Sequence, residues 1–159
     1  MGRQKKRRPT EIHDSFCCTI GDWRREYHFG AMIPERKYED SGHKEWDRII
    51  IATKIRRHST SRIKSSRKFE EVELCLSPDH ALRGKWSKDA KSVGVIMFDR
   101  KMLRAYADLA SDVYYSLIPC LATNHFKEIA LSVRNLRYWR GDIQWIGFDP
   151  QETHPEDLS

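Results

Sequence analysis

An isoleucine-rich segment constrains the fold of this chain more than any other feature of the sequence. Residues 45–57 contain Trp46, three consecutive isoleucines at positions 49–51, and Ile55, with charged residues on both sides. The run is too short for a buried helix, and β-branched residues favour the pleated surface of a sheet. We therefore predict a strand in this segment.

A second strand is predicted shortly after the first one. In residues 68–77, Val72, Leu74 and Leu76 alternate with Glu71, Glu73 and Cys75. This period of two is typical of a strand with one buried and one polar face. The two segments are predicted to form an antiparallel hairpin with a long basic loop.

Shorter alternating runs predict the other strands. Residues 15–20 form one strand, Gly21 and Asp22 mark a turn, and residues 23–32 form an aromatic strand. Residues 93–98, 126–133 and 143–148 are also predicted strands, and the tripeptide at 140–142 is predicted to be a turn in which Gly141 supplies a positive φ.

One segment has the period of a helix. From Met102 to Leu117 the apolar residues recur at intervals of three and four, and Asp99 can accept hydrogen bonds from a first helical turn. We expect Leu109 and Val113 to be buried, and Pro119 to end or kink the helix.

The order of strands, one long helix and a final hairpin predicts an α+β fold, with an antiparallel β-rich sheet or sandwich and one main helix. At 159 residues the chain has the length of one domain. We assign residues 1–13 to a disordered basic arm, residues 14–150 to a single α+β domain, and residues 151–159 to a flexible acidic tail.

The net charge of +6 is concentrated in two segments without acidic residues, 3–8 and 54–68. Basic side chains interleaved with serine and threonine suit contact with phosphate groups. The predicted nucleic-acid-binding residues are Arg56, Arg57, Arg62, Lys64, Arg67 and Lys68. We predict a small non-enzymatic binding module that engages nucleic acid or another acidic partner through this loop and the arm. The alternative for the loop is a solvated segment that discourages aggregation.

Two other classes of function stay open. One is a metal-dependent phosphodiesterase or nuclease, whose carboxylates would come from Asp47, Glu71, Glu73 and Asp79 of the 45–77 hairpin. Its usual lysine, two residues after the second carboxylate, is missing. The other is a protein inhibitor or adaptor. The seven histidines are scattered without metal-ligand spacing, and no cofactor motif occurs, so we expect no cofactor and no resident metal.

Residues 23–29 and 136–140 interleave aromatic rings with arginines, which is a pattern that stacks on unpaired bases. Alternation favours instead a core position for Trp23, Tyr27 and Phe29, and Trp139 is predicted to be the exposed ring.

The chain shows no signal peptide and no apolar run long enough to cross a bilayer. Its four cysteines, without a secretory signal, are expected to be reduced and mostly buried. We therefore expect a cytoplasmic protein that does not interact with membranes.

Overall fold

A computed structural model describes residues 11–32, 42–61, 69–82, 92–100 and 102–150. These residues form seven strands and one helix, in the order β1 (His13–Met32), β2 (Gly42–Thr60), β3 (Glu71–Asp79), β4 (Gly94–Asp99), β5 (Met102–Ala110), α1 (Ser111–Ala122), β6 (Glu128–Arg137) and β7 (Arg140–Asp149). The basic residues 3–8 of the N-terminal arm and the acidic tail lie outside the described residues.

The seven strands form a closed barrel in the order β1-β2-β3-β5-β4-β7-β6, and β6 pairs with β1 to complete it. Every neighbouring pair is antiparallel except β3 and β5, which are parallel. The predicted α+β class is therefore wrong, because the chain is mostly β with one short helix. Closure gives each barrel strand two hydrogen-bonded neighbours, whereas the two edge strands of an open sheet have only one each.

The error arose in the segment assigned to one long helix. Residues 102–110 are β5, and Leu103, Ala105 and Ala107 alternate into the core. The spacing of the apolar residues fits both periods here, and the strand prevails because β5 fills the gap between β3 and β4. The helix begins only at Ser111 and continues past Pro119 to Ala122.

The buried face of α1 also differs from the predicted one. Tyr114, Leu117 and Leu121 are buried in the core, whereas Val113 is 47% exposed and Leu109 on β5 is half-buried. Tyr114 and Leu117 belong to the apolar series from which the helix was predicted, and their burial agrees with it. The inward side of α1 follows residues 114, 117 and 121, which leaves Val113 outside it.

The predicted hairpin is confirmed. β2 and β3 pair antiparallel from Ile49 opposite Leu76 to Lys54 opposite Glu71. Ile49, Ile51, Val72, Leu74 and Leu76 are buried, and they join the other inward residues in one core. The strands predicted at 93–98, 126–133 and 143–148 correspond to β4, β6 and β7.

Two predicted turns are absent. β1 continues through Gly21 and Asp22 as a single strand, with a shift of register against β2 between Ile20 and Trp23. Such a bulge bends a strand without ending it. The tripeptide that begins with Arg140 opens β7, and none of the described glycines has a positive φ.

The outer halves of β1 and β2 extend beyond the barrel. β6 pairs with β1 only from His13 to Thr19, and β3 pairs with β2 only from Ile49 to Lys54. Residues 23–32 of β1 and 42–51 of β2 pair with one another, and we call this two-stranded unit the ribbon. Its base, residues 49–51, still pairs with β3 in the barrel, and the rest extends beyond it. It leaves the barrel at the helix end, where α1 packs, opposite the turn end that holds the β6–β7 turn.

In the described part of the chain, α1 is too short to span a membrane and no other helix qualifies.

Candidate functional site

The structure describes two of the six predicted phosphate-binding residues. Arg56 and Arg57 lie near the end of β2, and Arg62, Lys64, Arg67 and Lys68 lie outside the described residues. Arg57 is half-buried and stands opposite Cys17 of β1. The assignment of these residues to phosphate contact stays a prediction.

Arg56 already has an intramolecular partner. Its Nη1 lies 3.2 Å from Oε2 of Glu128, whose side chain is almost completely buried. A buried carboxylate needs a compensating charge, and Arg56 supplies it from β2 across β1, the strand that lies between β2 and β6. Its guanidinium is less available to an external anion than its position in the sequence suggested.

The turn between β6 and β7 presents two large exposed rings. Tyr138 is 80% exposed and Trp139 is 75% exposed, and both lie between Arg137 and Arg140. Asn135 and Tyr138 adopt positive φ values of 54° and 60°, which produce the tight return of the chain. The exposure predicted for Trp139 is confirmed.

This turn is anchored to the barrel. The backbone N–H of Phe98 on β4 donates to the carbonyl oxygen of Trp139 at 3.2 Å. The backbone N–H of Asn135 donates to the carbonyl oxygen of Ile12 at 2.7 Å. The two exposed rings are therefore carried by a backbone that is held from both sides, which lowers the entropy lost when a ligand stacks on them.

A line of aromatic contacts connects this turn to the flanks of residues 62–68, which we call the basic segment. The His58 ring is 6.3 Å from that of Phe69, and the Phe69 ring is 5.1 Å from that of Phe98, with distances taken between centroids. Ser61, the last described residue before the segment, donates its N–H to the carbonyl oxygen of His13 at 2.8 Å. Both flanks of residues 62–68 thus lie at the turn end, together with Tyr138 and Trp139. We call the set of Arg137, Tyr138, Trp139 and Arg140 the turn-end surface.

A histidine–aspartate pair lies beneath the turn end. Nε2 of His58 is 2.8 Å from Oδ1 of Asp14, and the His58 ring stacks on Phe16 at 4.4 Å. Asp14 is only 4% exposed, and its Oδ2 has no hydrogen-bond partner among the described residues. The pair resembles the base and orienting group of a nucleophilic site, but no described serine or cysteine hydroxyl or thiol is bonded to His58. We interpret it as a structural contact between β1 and β2.

A second polar network lies at the helix end. Asp47 on β2 accepts two hydrogen bonds from Arg25 on β1, at 2.9 and 2.6 Å, and one from the Tyr114 hydroxyl on α1, at 2.6 Å. Arg25 lowers the pKa of Asp47 below its usual range, mainly by these hydrogen bonds. Burial, reinforced by the hydrogen bond to Asp47, raises the pKa of Tyr114. The network joins the ribbon to α1.

Aromatic rings surround this network on the ribbon. The Arg25 guanidinium lies 5.8 Å from the Tyr27 ring and 5.7 Å from the Tyr115 ring. Tyr27 is 52% exposed and Phe29 is 63% exposed, so the predicted core position of these two residues is wrong. Both side chains lie on the face of β1 that faces the core further along the strand. At residues 27 and 29, however, β1 and β2 extend beyond the barrel, so there is no core for these rings to pack against.

The carboxylates of the alternative nuclease site do not converge. Asp47 is bonded to Arg25 and Tyr114, and Glu73 lies 3.8 Å from Arg104. Asp79 accepts the backbone N–H of Ala81 at 2.9 Å. Within the described ranges, no three histidine, cysteine, aspartate or glutamate side chains come close enough to hold a metal ion.

A half-open cavity of about 370 Å³ lies between α1 and β7. Leu109, Leu117, Phe126, Ile146 and Phe148 supply most of its apolar lining. The Ser116 hydroxyl, which also lines it, donates to the backbone carbonyl of Asp112 within the helix. Asp112 and Cys120, one helical turn on either side of Ser116, supply the other polar groups of the lining.

The four cysteines are all free thiols. Cys18 is buried, and the other three are half-buried. Burial raises the pKa of Cys18 to about 11, and it also raises the pKa values of Cys17 and Cys75. Arg48 lies beside Cys75 and Arg57 beside Cys17, but burial outweighs the effect of both charges, so neither thiol is activated as a nucleophile.

Sequence reasoning missed the network of Arg25, Asp47 and Tyr114. Its members lie on three elements far apart in the chain, and no motif links them. The rings and arginines of 136–140, by contrast, were recognisable because they are adjacent in the sequence.

No protein-family model, curated protein or solved structure matches this chain.

Proposed function

We propose that this protein is a non-enzymatic module that binds single-stranded nucleic acid at the turn end of its barrel. The observation that carries the proposal is the exposure of Tyr138 and Trp139 beside the flanks of the basic segment. Flat exposed rings suit unpaired bases, whereas paired bases are stacked inside a duplex and unavailable to them.

In this proposal the rings and the basic residues have separate tasks. Tyr138 and Trp139 stack on one or two bases. Arg57, Arg137 and Arg140, with the predicted contacts of the 62–68 segment, neutralise phosphates and release counterions. The N-terminal arm adds affinity that does not depend on base sequence. The protein is proposed to act in the cytoplasm, in keeping with its free thiols.

An acidic protein partner would use the same charges, but flat unpaired bases match two exposed rings beside arginines more closely than acidic side chains do. Two exposed aromatic rings at the centre of the surface therefore favour nucleic acid. No observation favours the metal-dependent phosphodiesterase over this proposal, since Glu73 and Asp47 are engaged by arginines.

The test measures binding of fluorescent single-stranded DNA and RNA oligonucleotides by anisotropy, at several salt concentrations. Trp139→Ala should weaken binding about 5- to 150-fold, because stacking of one base contributes about 1–3 kcal/mol. Trp46→Ala is the matched control, since Trp46 is another exposed tryptophan, at 48%, but lies on the ribbon. It should bind like the wild type.

Replacement of Arg57, Arg62, Lys64 and Arg67 by serine tests the phosphate contacts. Each lost contact should reduce the log–log slope of affinity against salt by about 0.7 for a single strand. A wild-type protein without salt-sensitive binding at about 50 mM salt would refute the proposal and favour the acidic protein partner. If the quadruple variant binds normally, we would assign the phosphate contacts to the N-terminal arm instead.

A further inference from the structure

The ribbon exposes one edge of β1. On the side of β1 that faces away from β2, the last residue that pairs with β6 is Thr19, and the Ile20 N–H still donates to the Lys127 carbonyl. Residues 23–28 continue as a strand that is paired with β2 on one side only, among the described residues. We call residues 23–28 the β1 edge.

An exposed edge normally carries features that prevent pairing with another chain, such as proline, uncompensated charge or very short length. The β1 edge contains no proline. Its charges are compensated within the molecule, because Arg24 and Arg48 both bond Glu26, at 3.2 and 2.6 Å, and Arg25 bonds Asp47. These residues therefore do little to repel a further strand.

The ribbon is also held rigidly and carries large apolar surfaces. Asp47 and Tyr114 tie it to α1, so its backbone does not need to be ordered when a partner binds. Tyr27, Phe29, Trp46 and Tyr115 are all at least 39% exposed. Aromatic rings of this kind are enriched at protein interfaces.

We propose that the β1 edge pairs with the same edge of a second copy of this chain, forming an antiparallel, two-fold symmetric dimer. Pairing centred on Arg25 places Arg24 of each copy opposite Glu26 of the other. It also places Trp23 opposite Tyr27 on the inward side. Residues directly opposite each other in antiparallel strands interact, so both sets of contacts favour this register.

Arg25 faces its own counterpart in this register, which requires that its charge be balanced. The bidentate bond to the buried Asp47 of the same chain provides that balance and directs the guanidinium across to β2. The pairing adds main-chain hydrogen bonds along the edge, which is the mode of strand addition.

The charge of the ribbon distinguishes this partner from nucleic acid. Around the β1 edge, residues 23–28 and 45–48 contain three arginines and three acidic residues and have no net formal charge, and Lys44 brings the whole ribbon to only +1. A surface without excess positive charge gains little from counterion release, the main source of affinity for a polyanion. The inference is independent of the proposed function, because it concerns the opposite end of the barrel.

The test begins with the mass of the full chain in solution, measured by light scattering and sedimentation. We expect a species of twice the 18.8 kDa of one chain. Measurements extend to about 100 µM protein, because small interfaces are often weak. A wild type that stays monomeric there overturns the proposal.

Two charge reversals test the partner and the register together. In a dimer of Arg24→Glu the opposing side chains would both be acidic, and in a dimer of Glu26→Lys they would both be basic. Each variant alone should therefore be monomeric, because like charges directly opposite each other are destabilising. An equimolar mixture of the two should form a heterodimer, since one acidic strand then faces one basic strand.

Circular dichroism melts of both variants confirm that each one folds. Variants that still dimerise alone, or a mixture that stays monomeric, overturn the proposed register and pairing.

A control separates this inference from the proposed function. Trp139→Ala should lose affinity for oligonucleotides but keep the dimer, and Arg24→Glu should lose the dimer but keep the salt dependence of oligonucleotide binding. If the wild type is monomeric and Tyr27→Ala weakens oligonucleotide binding, the ribbon is a base-stacking surface and the dimer is excluded.

Discussion

Three elements of the structure meet at the carboxylate of Asp47. It accepts hydrogen bonds from Arg25 on β1 and Tyr114 on α1, and its own side chain, on β2, is almost fully buried. Removal of a buried acceptor leaves its donors unsatisfied, which costs about 1–3 kcal/mol for each neutral donor. The Arg25 side chain is 37% exposed, so water compensates part of that loss.

The first prediction concerns Asp47 and pH. Because Arg25 lowers its pKa in the folded state, the carboxylate stabilises the fold above its unfolded pKa of about 3.9. That contribution is lost as pH falls through the lower, folded pKa. Asp47→Asn should therefore be less stable than the wild type by about 1–3 kcal/mol at neutral pH, with a smaller difference near pH 2. Urea unfolding at several pH values measures this, and a constant difference would contradict it.

The second prediction concerns Cys18. With a pKa of about 11, its thiolate fraction at pH 8 is about 100-fold below that of an ordinary thiol, and its burial slows reaction further. Mass spectrometry after brief treatment with iodoacetamide should find Cys18 unmodified in the folded protein. In urea the same residue should react at an ordinary rate. Rapid modification of the folded protein would show that this part of β1 opens readily.

At the scale of elements, α1 stabilises the barrel through one side only. Leu117 is 5% exposed and Val113 is 47% exposed. Leu117→Ala should destabilise the protein by about 2–5 kcal/mol, because it leaves a cavity in the core. Val113→Ala should change stability by less than about 1 kcal/mol. Denaturant unfolding of the two variants measures the difference, and equal losses would show that the helix is rotated from this orientation.

The close packing of β4 against β5 gives a further prediction. A Cβ atom added at Gly94 would lie 2.2 Å from the Tyr106 carbonyl oxygen, which belongs to the backbone and cannot rotate away. Gly94→Ala should therefore cost about 1–3 kcal/mol or more. Gly30→Ala, at a position with no atom within 4 Å, is the matched control and should be nearly neutral. Thermal melts that rank the two variants equally would argue against this strand pairing.

At the scale of the whole molecule, barrel closure depends on partners distant in sequence. His13 of the first strand pairs with Arg134 of the sixth, and Gly94 pairs with Ile143. Such long-range contacts require closure of large loops before they become favourable. We expect refolding on the millisecond-to-second timescale, rather than the microseconds of small helical proteins. Stopped-flow tryptophan fluorescence after dilution from denaturant checks this, and a microsecond phase that recovers the full signal would contradict it.

The two proposed binding surfaces lie at opposite ends of the barrel. The turn end combines the exposed rings of Tyr138 and Trp139 with the flanks of the basic segment, whereas the ribbon combines rings with balanced charge. The barrel core separates the two surfaces, and they share no residue. Substitutions at sites that are distant and share no partners generally have independent effects, so each surface can be altered without changing the other.

The sequence by itself determined most of the local strands and the exposure of one aromatic ring. β3 and β6 were recognisable from alternation, and β2, β4 and β7 from short apolar or β-branched runs, because both are local properties of the chain. Trp139 was recognisable as exposed because it lies beside arginines at a chain reversal.

Only the tertiary structure decided the rest. Residues 102–110 fit two periods, and their two neighbouring strands selected the strand. Barrel closure by β1 and β6, and the network of Asp47, Arg25 and Tyr114, bring together residues that are far apart in the chain. Tyr27 and Phe29 have the alternation of core residues, but they extend past the barrel wall into solvent. The physical reason is common to all of these cases: periodicity indicates which residues share a face, and only the packed fold determines what lies opposite that face.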